Sequence, residues 1–243
     1  MECDGFGVAL VVPPGLDPGG EPDTVRRTSP PEAARHAPDY QSDAEAVALR
    51  NPKGATLNAE PNPPRALPQL LARSRAIQFG MASDPLTGSL LRTLAASKPA
   101  GRFLELGTGT GLATAWLLDG MDEASHLVTI ESDPAVLAIA CDVLGGDDRV
   151  SFTQGDGGAW LRLAEAAQFD LIFADAWPGK YSHLDEALGA LRRGGLYVID
   201  DLLPQPNWPA GHDVNVAELI ATLEARADLR LTKLDWSTGI IIA

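Results

Sequence analysis

Phe103-Leu104-Glu105-Leu106-Gly107-Thr108-Gly109-Thr110-Gly111 reads as a short buried strand that carries an acid near its end and runs into three alternating glycines. Glycines at this spacing let the backbone turn sharply from strand into helix and come close to a ligand, with free helix N–H groups facing it. A dinucleotide fingerprint needs G-x-G-x-x-G. Here the third glycine falls at 111 and position 112 is Leu, a spacing that favours S-adenosylmethionine (SAM) over NAD. Gly107, Thr108, Gly109 and Gly111 are therefore expected to form the cofactor turn. Glu105, at the carboxyl end of its strand, is expected close to the cationic methionyl part of SAM.

The elements on either side extend this reading. His126 to Glu131 is a second apolar strand ending in an acid, and Glu131 lies twenty residues beyond Gly111, the spacing of a ribose-binding carboxylate, with Ser132 next to it. Two charged hydrogen bonds from one carboxylate to vicinal hydroxyls contribute about 1.5–3 kcal/mol each before ordering costs. A third strand, Arg149 to Gln154, runs into Gly155-Asp156-Gly157, where Asp156 is placed to accept from an adenine amino group. Each acid alone reads equally well as a turn or N-cap residue. Three in register at successive strand ends argue for a site.

From Arg65 onward helix and strand alternate. Ala66 to Phe79 and Pro85 to Ala96 read as helices, the second opened by Asp84 and Pro85. Strand Arg102 to Leu106 leads to helix Leu112 to Leu118. Strand Leu127 to Glu131 leads to helix Pro134 to Leu144, closed by Gly145-Gly146. Strand three is followed by helix Gly158 to Ala164, strand Phe169 to Ala174 by helix Ser182 to Leu191, and strand Leu196 to Asp200 by helix Val214 to Ala225. Arg230 to Leu234 and Gly239 to Ile242 close the chain as an antiparallel pair. Apolar strands each followed by a helix predict an α/β, Rossmann-like, mostly parallel seven-stranded sheet, with helices on both faces and an antiparallel C-terminal strand pair. In such sheets ligands sit outside the carboxyl ends of the strands, where strand order reverses.

The chain has 243 residues, 45% of them hydrophobic, which is enough for one sizeable core. Eleven of its nineteen prolines fall in the first 64 residues, so 1–64 is read as a Pro-rich disordered segment, with a short helix near Ala44 to Arg50, and 65–243 as the folded domain. The apolar run Phe6 to Val12 follows acids and stops at Pro13-Pro14, a poor signal peptide and too short to span a membrane. A net charge of −14 argues against nucleic acid as a partner. The two cysteines, Cys3 and Cys141, make neither a disulfide framework nor a zinc site, and the expected compartment is the reducing cytoplasm.

A second constellation follows the later strands. Asp175, Asp200 and Asp201 stand at the ends of strands four and five. Three carboxylates suit a hard divalent cation such as Mg²⁺, which would stabilise an alkoxide or phenoxide nucleophile. The same charges also suit the balancing of SAM's positive charge, and both readings stay open. His183 and His212 lie near these loops as bases that titrate close to neutral pH. Trp177 and Trp208 are candidates to stack on an aromatic acceptor.

From about Pro64 to Ala243 the chain resembles class I SAM-dependent methyltransferases, most closely the small-molecule O-methyltransferases of the catechol and caffeoyl-CoA type. Asp175-Ala176-x-x-x-x-Tyr181-x-x-x-x-Glu186 follows that group's D-A-x-x-x-x-Y-x-x-x-x-E pattern, and Gly194-Gly195-Leu196-Tyr197-Val198-Ile199-Asp200-Asp201 its G-G-x-x-x-x-D-N. The resemblance implies methyl transfer to a hydroxyl oxygen of a small-molecule acceptor, a divalent metal on Asp175, Asp200 and Asp201, and a homodimer. It also places Thr87 and Gly88 in a segment that closes over the methionyl end of SAM. Two departures stand out. Asp201 replaces an Asn, and the general-base lysine expected three residues after Asp175 is Pro178, with Lys180 two further on. The catalytic set is thus read as Asp175, Lys180 and His183, and the cofactor set as Thr87, Gly88, Glu105, Gly107, Thr108, Gly109, Gly111, Glu131, Ser132, Asp156, Gly157 and Asp175.

The competing enzyme classes fit less well. An aminopropyltransferase needs a further acid where Trp177-Pro178 stand, and amino-methylating enzymes for bases or glutamine usually show D/N-P-P-Y where this chain has Asp175-Ala176-Trp177-Pro178. A SAM-binding protein that is non-catalytic or metal-independent is the alternative that the altered lysine and added aspartate keep open.

Overall fold

The computed structural model describes residues 62–243. The Pro-rich stretch before that, with its expected helix near Ala44 and Cys3, lies outside the described residues. Helices α1 (Leu67–Ala76) and α2 (Pro85–Ala96) precede an alternating series. It runs β1 (Arg102–Leu106), α3 (Leu112–Gly120), β2 (His126–Glu131), α4 (Pro134–Leu144), β3 (Val150–Gln154), α5 (Gly157–Leu161) and β4 (Phe169–Ala174). It continues through α6 (Leu184–Ala190), β5 (Leu191–Ile199) and α7 (His212–Glu224) to β6 (Thr232–Leu234) and β7 (Ile240–Ile242).

Seven strands form one sheet in the order β3-β2-β1-β4-β5-β7-β6. β1 to β5 are parallel, β7 runs antiparallel to β5, and β6 antiparallel to β7. The chain winds outward from β1 to β3, then returns across β1 to add β4 and β5. Strand order therefore reverses between β1 and β4, and there the β1 and β4 loops diverge to opposite sides and leave a crevice.

Alternate side chains of each central strand enter opposite layers. Phe103, Leu171 and Phe173 pack with α1 to α4, while Leu104, Ile172 and Ala174 pack with α5 to α7. Burying one such leucine contributes about 1.5–3 kcal/mol, against about 1 kcal/mol for a helix cap. The layers hold the helices and the caps set where they begin. Asp84 accepts from the Leu86 amide, Asp133 from those of Ala135 and Val136, and Asp156 from that of Ala159. No helix among the described residues is long and apolar enough to cross a membrane.

The largest departure from the expected boundaries lies between β4 and β5. Helix α6 is shorter than predicted at both ends. At its start His183 takes a left-handed conformation, φ 55°, which holds the preceding residues outside the helix. At its end Leu191 is already extended and pairs with Phe169, and a register shift before Leu171 absorbs Gly194-Gly195. β5 therefore begins at Leu191 rather than Leu196.

Candidate cofactor and acceptor site

A cavity of about 340 Å³ opens at the carboxyl ends of the strands, over the β1–β4 switch point. Its floor is main chain. Gly107, at φ 99°, donates its N–H to Ile130 O, and a Cβ there would lie 2.8 Å from the carbonyl oxygen of Asp175. No other residue type fits that position without moving the β4 loop. Gly109, also left-handed, lies beneath the ring of Phe79, which a Cβ would approach to 3.2 Å.

Glu131 ties the turn to the second strand. Its Oε2 accepts from the Gly109 amide at 2.9 Å, and its Oε1 from the amides of Ser132 and Asp133 at 2.8 and 3.0 Å. A carboxylate oxygen offers about two lone pairs, so Oε2 keeps capacity for a ribose hydroxyl. Thr108, Ser132, Asp156 and Gly157 also line the cavity, as does Asp175 on the opposite wall. Asp156 is both cavity wall and cap of α5. The cradle a side chain would fill, the carboxylate beside it and the volume fit a nucleoside of SAM's size.

Four residues expected at the cofactor lie behind the cavity instead. Glu105 is fully buried on the α3 side of the sheet, where Thr114 and Thr129 donate to its Oε2 at 2.6 and 2.5 Å. Strand alternation places it there, because Leu104 and Leu106 take the other face. Burial pushes its carboxyl up to about 7, against the two threonine hydrogen bonds, and Oε1 has no hydrogen-bond partner. Gly111, φ 91°, is the N-cap of α3 and lets it rest on α4, since a Cβ there would meet Ala140 at 2.9 Å. Gly88 admits the Trp116 ring into the α2–α3 contact, where a Cβ would come within 2.2 Å of it. Thr87, buried, faces Ser237, Thr238 and Asp200. The segment before it, Met81 to Ser83, supplies the wall. Phe79 and that wall carry no residue-type signature; only the folding of α1 and α2 over the glycine turn brings them there.

The candidate acceptor side is built from side chains after β4 and β5. Trp177 O accepts the amides of Lys180, Tyr181 and Ser182, and Tyr197, buried in β5, donates its hydroxyl to Gly179 O at 2.6 Å from below. This turn carries Lys180 inward. Its Nζ lies 3.7 Å from Asp175 Oδ1 and donates to Asp200 O at 2.9 Å. Ser83 donates to the other oxygen of Asp175 at 3.3 Å. Burial pushes the carboxyls of Asp175 and Asp200 well above the ordinary range. Lys180 opposes this at both, and Thr238 most strongly at Asp200.

His183 does not join this group. Arg162 donates to its Nε2 at 2.7 Å, and its ring packs on Gly158. It lines a second cavity of about 320 Å³ between α6 and α7, whose wall also includes Lys180 and Tyr181. The histidine at the acceptor side is His212, hydrogen-bonded through Nε2 to the Tyr181 hydroxyl at 3.1 Å and packed against Trp208 at 4.7 Å between ring centroids. Trp177, half-exposed, lies 4.8 Å from the Tyr181 ring. Burial, with the nearby Asp201 and Asp175 charges adding to it, pushes the Tyr181 phenol up to about 12.

Among the described residues no group of three His, Cys, Asp or Glu side chains is placed to hold a metal ion. Asp175 faces Lys180, and Asp200 Oδ1 takes donors from Thr238, from Thr87 at 3.5 Å and from the Asp201 amide at 2.9 Å. This donor set does not fit the metal that the family resemblance implies.

A doubly wound sheet with a glycine turn and a carboxylate at the second strand defines a nucleoside-cofactor-binding α/β protein. The family model described as a methyltransferase domain matches residues 104–202. A Mycobacterium marinum protein named "Putative O-methyltransferase" is 33% identical over 162 residues, covering 63% of this chain and 71% of the relative. A Mycolicibacterium vanbaalenii protein of the same name is 35% identical over 134 residues, 53% of this chain; that match spans 59% of the relative's own length. Among solved structures, the O-methyltransferase TomG of Streptomyces achromogenes, in complex with SAM, aligns with a TM-score of 0.65 at 25% identity, over 76% of this chain and 91% of its own. The chain belongs to the O-methyltransferase family of these relatives.

Proposed function

We propose that the protein is a SAM-dependent methyltransferase that acts on a hydroxyl oxygen of a small, planar acceptor. The observation that carries this reading is the placement of Asp175. It stands on the wall between the glycine-turn cavity and the aromatic group of Trp177, Tyr181, Trp208 and His212. The nucleoside cradle thus ends at Asp175, Ala176 and Pro178, and the aromatic platform is carried by the turn that continues from them. The SAM-bound relative TomG supports the choice of cofactor.

When bound, SAM supplies a methyl group on a positively charged sulfur. The chain's own part is placement. Glu131 and the glycine turn fix the nucleoside, and Met81 to Ser83 add to the wall of the cavity. Trp177 and its neighbours orient a ring, and holding the acceptor oxygen near attack distance is the main gain available to an in-line displacement. The Tyr181–His212 pair lies beside the platform and offers a hydrogen-bonded route for the acceptor's proton. No step is routed through a metal.

Two measurements test the proposal together: calorimetric titration of SAM into the full chain, and a methyl-transfer assay against a panel of phenolic and other hydroxylated acceptors. Saturable binding with methylated product is expected. Tight binding without product across the panel would leave the non-catalytic alternative standing, and absence of binding would end the methyltransferase reading.

A further inference from the structure

Lys180 stands beside two of the three aspartates on which the family resemblance puts a metal. Its side chain is only 6% exposed, its Nζ stands 3.7 Å from Asp175 Oδ1 and 2.9 Å from Asp200 O, and the Tyr181 ring lies 5.9 Å away. The turn that carries it is held on two sides. Gly179 is left-handed at φ 91° and lies so close to Leu106 that a Cβ would come within 2.5 Å of it, while Tyr197 holds its carbonyl from below. The neighbouring carboxylate is arranged to match. Asp200 Oδ1 is filled by the hydroxyl of Thr238 and the amide of Asp201, with Thr87 behind them. Those donors take up the accepting capacity of that oxygen. A hard divalent ion needs several oxygens at about 2.0–2.6 Å around one point, and here an ammonium stands beside Asp175 while hydroxyl and amide donors take up Asp200 Oδ1.

We infer that the Lys180 ammonium is the built-in cation of the acceptor half, taking the place of a divalent metal beside Asp175 and Asp200. The inference rests on the methyltransferase reading for its purpose, though not for its geometry. In the sequence the lysine of the D-A-x-K pattern moves from the position of Pro178 to that of Lys180. The displacement turns a residue read as a base into a positioning residue, which donates to the main-chain carbonyl of Asp200 and pairs by charge with the Asp175 carboxylate. One consequence concerns the acceptor. A metal favours ligands with two adjacent oxygens to chelate it, whereas a fixed ammonium makes no such demand, so acceptors with a single hydroxyl are admitted.

The test is titration of Mn²⁺ into the full chain, with the free ion followed by electron paramagnetic resonance, for wild type, Lys180→Met and Asp200→Asn. Wild type is expected to leave Mn²⁺ free, and Lys180→Met to gain at least about tenfold in Mn²⁺ affinity once the like charge is gone. One equivalent of Mn²⁺ held by wild type and released in Asp200→Asn would overturn the inference. So would a folded Lys180→Met that binds Mn²⁺ no better than wild type, with Lys180→Gln as the second variant should the first not fold. Neither SAM nor acceptor enters the experiment. A failure of the methyltransferase reading would appear instead as an absent SAM titration.

Discussion

On the β1–β2 side of the cleft the shape is set by main chain. Gly107 and Gly109 are left-handed, the amides of Gly109, Ser132 and Asp133 converge on Glu131, and the partners are close in sequence or on adjacent strands. On the β4–β5 side it is set by side chains drawn from distant segments. Thr238 reaches Asp200, Tyr181 reaches His212, and Tyr197 reaches Gly179. The main-chain half cannot change shape without moving the strands and turns that form it. The other half can be reshaped by exchanging side chains while the sheet stays as it is.

The sharpest way to break this comparison is Gly107→Val. The branched side chain would meet the Asp175 carbonyl in a strained backbone conformation, and SAM affinity is expected to fall more than about 100-fold by calorimetry. Affinity within a few-fold of wild type would show that the turn does not shape the cofactor half. Next in size is a pH effect beneath the same turn. The Glu105 carboxyl is pushed up to about 7 in the folded state from an ordinary 4.5. Its favourable contribution is therefore full below about 4.5 and is lost as pH rises through about 7, a change of about 3 kcal/mol by linkage. Urea unfolding at pH 5 and pH 8 should show a smaller loss of stability in Glu105→Gln than in wild type. Equal losses would mean that Glu105 is not held neutral by burial.

Glu131→Gln keeps the shape of the side chain and removes its charge, so it should weaken SAM binding by about 1.5–3 kcal/mol, a factor of roughly 10–100, in the same titration. The smallest expected effect belongs to the other half. Trp177→Ala should raise the acceptor KM by about five- to tenfold, the worth of one half-exposed ring contact of about 1 kcal/mol, and leave SAM affinity unchanged. If SAM affinity fell as far as acceptor binding, the two halves would not be separable.

The cofactor half was legible because its signals are local. Gly107, Gly109, Glu131 and Asp156 were found from their spacing and all line the cavity. Where the reading went astray, the cause was a face or a fold-back. Glu105 was placed toward the ligand by its position at the strand end, but strand alternation turns it into the α3 layer. Thr87 and Gly88 follow the segment that lines the cavity, and helix α2 turns them toward Asp200 and Trp116 rather than the cavity. His183 was named from proximity in sequence, and a left-handed residue at the start of α6 carries it to Arg162.

The sequence by itself determined the doubly wound sheet, the switch point and the glycine turn, because hydrophobic period, cap residues and left-handed glycines act over a few residues. Tertiary structure alone decided that Lys180 enters the acidic group, that Tyr181 meets His212, and that Asp200 is closed by Thr238. Those contacts join segments 20 to 38 residues apart, and no local pattern encodes which side chain arrives.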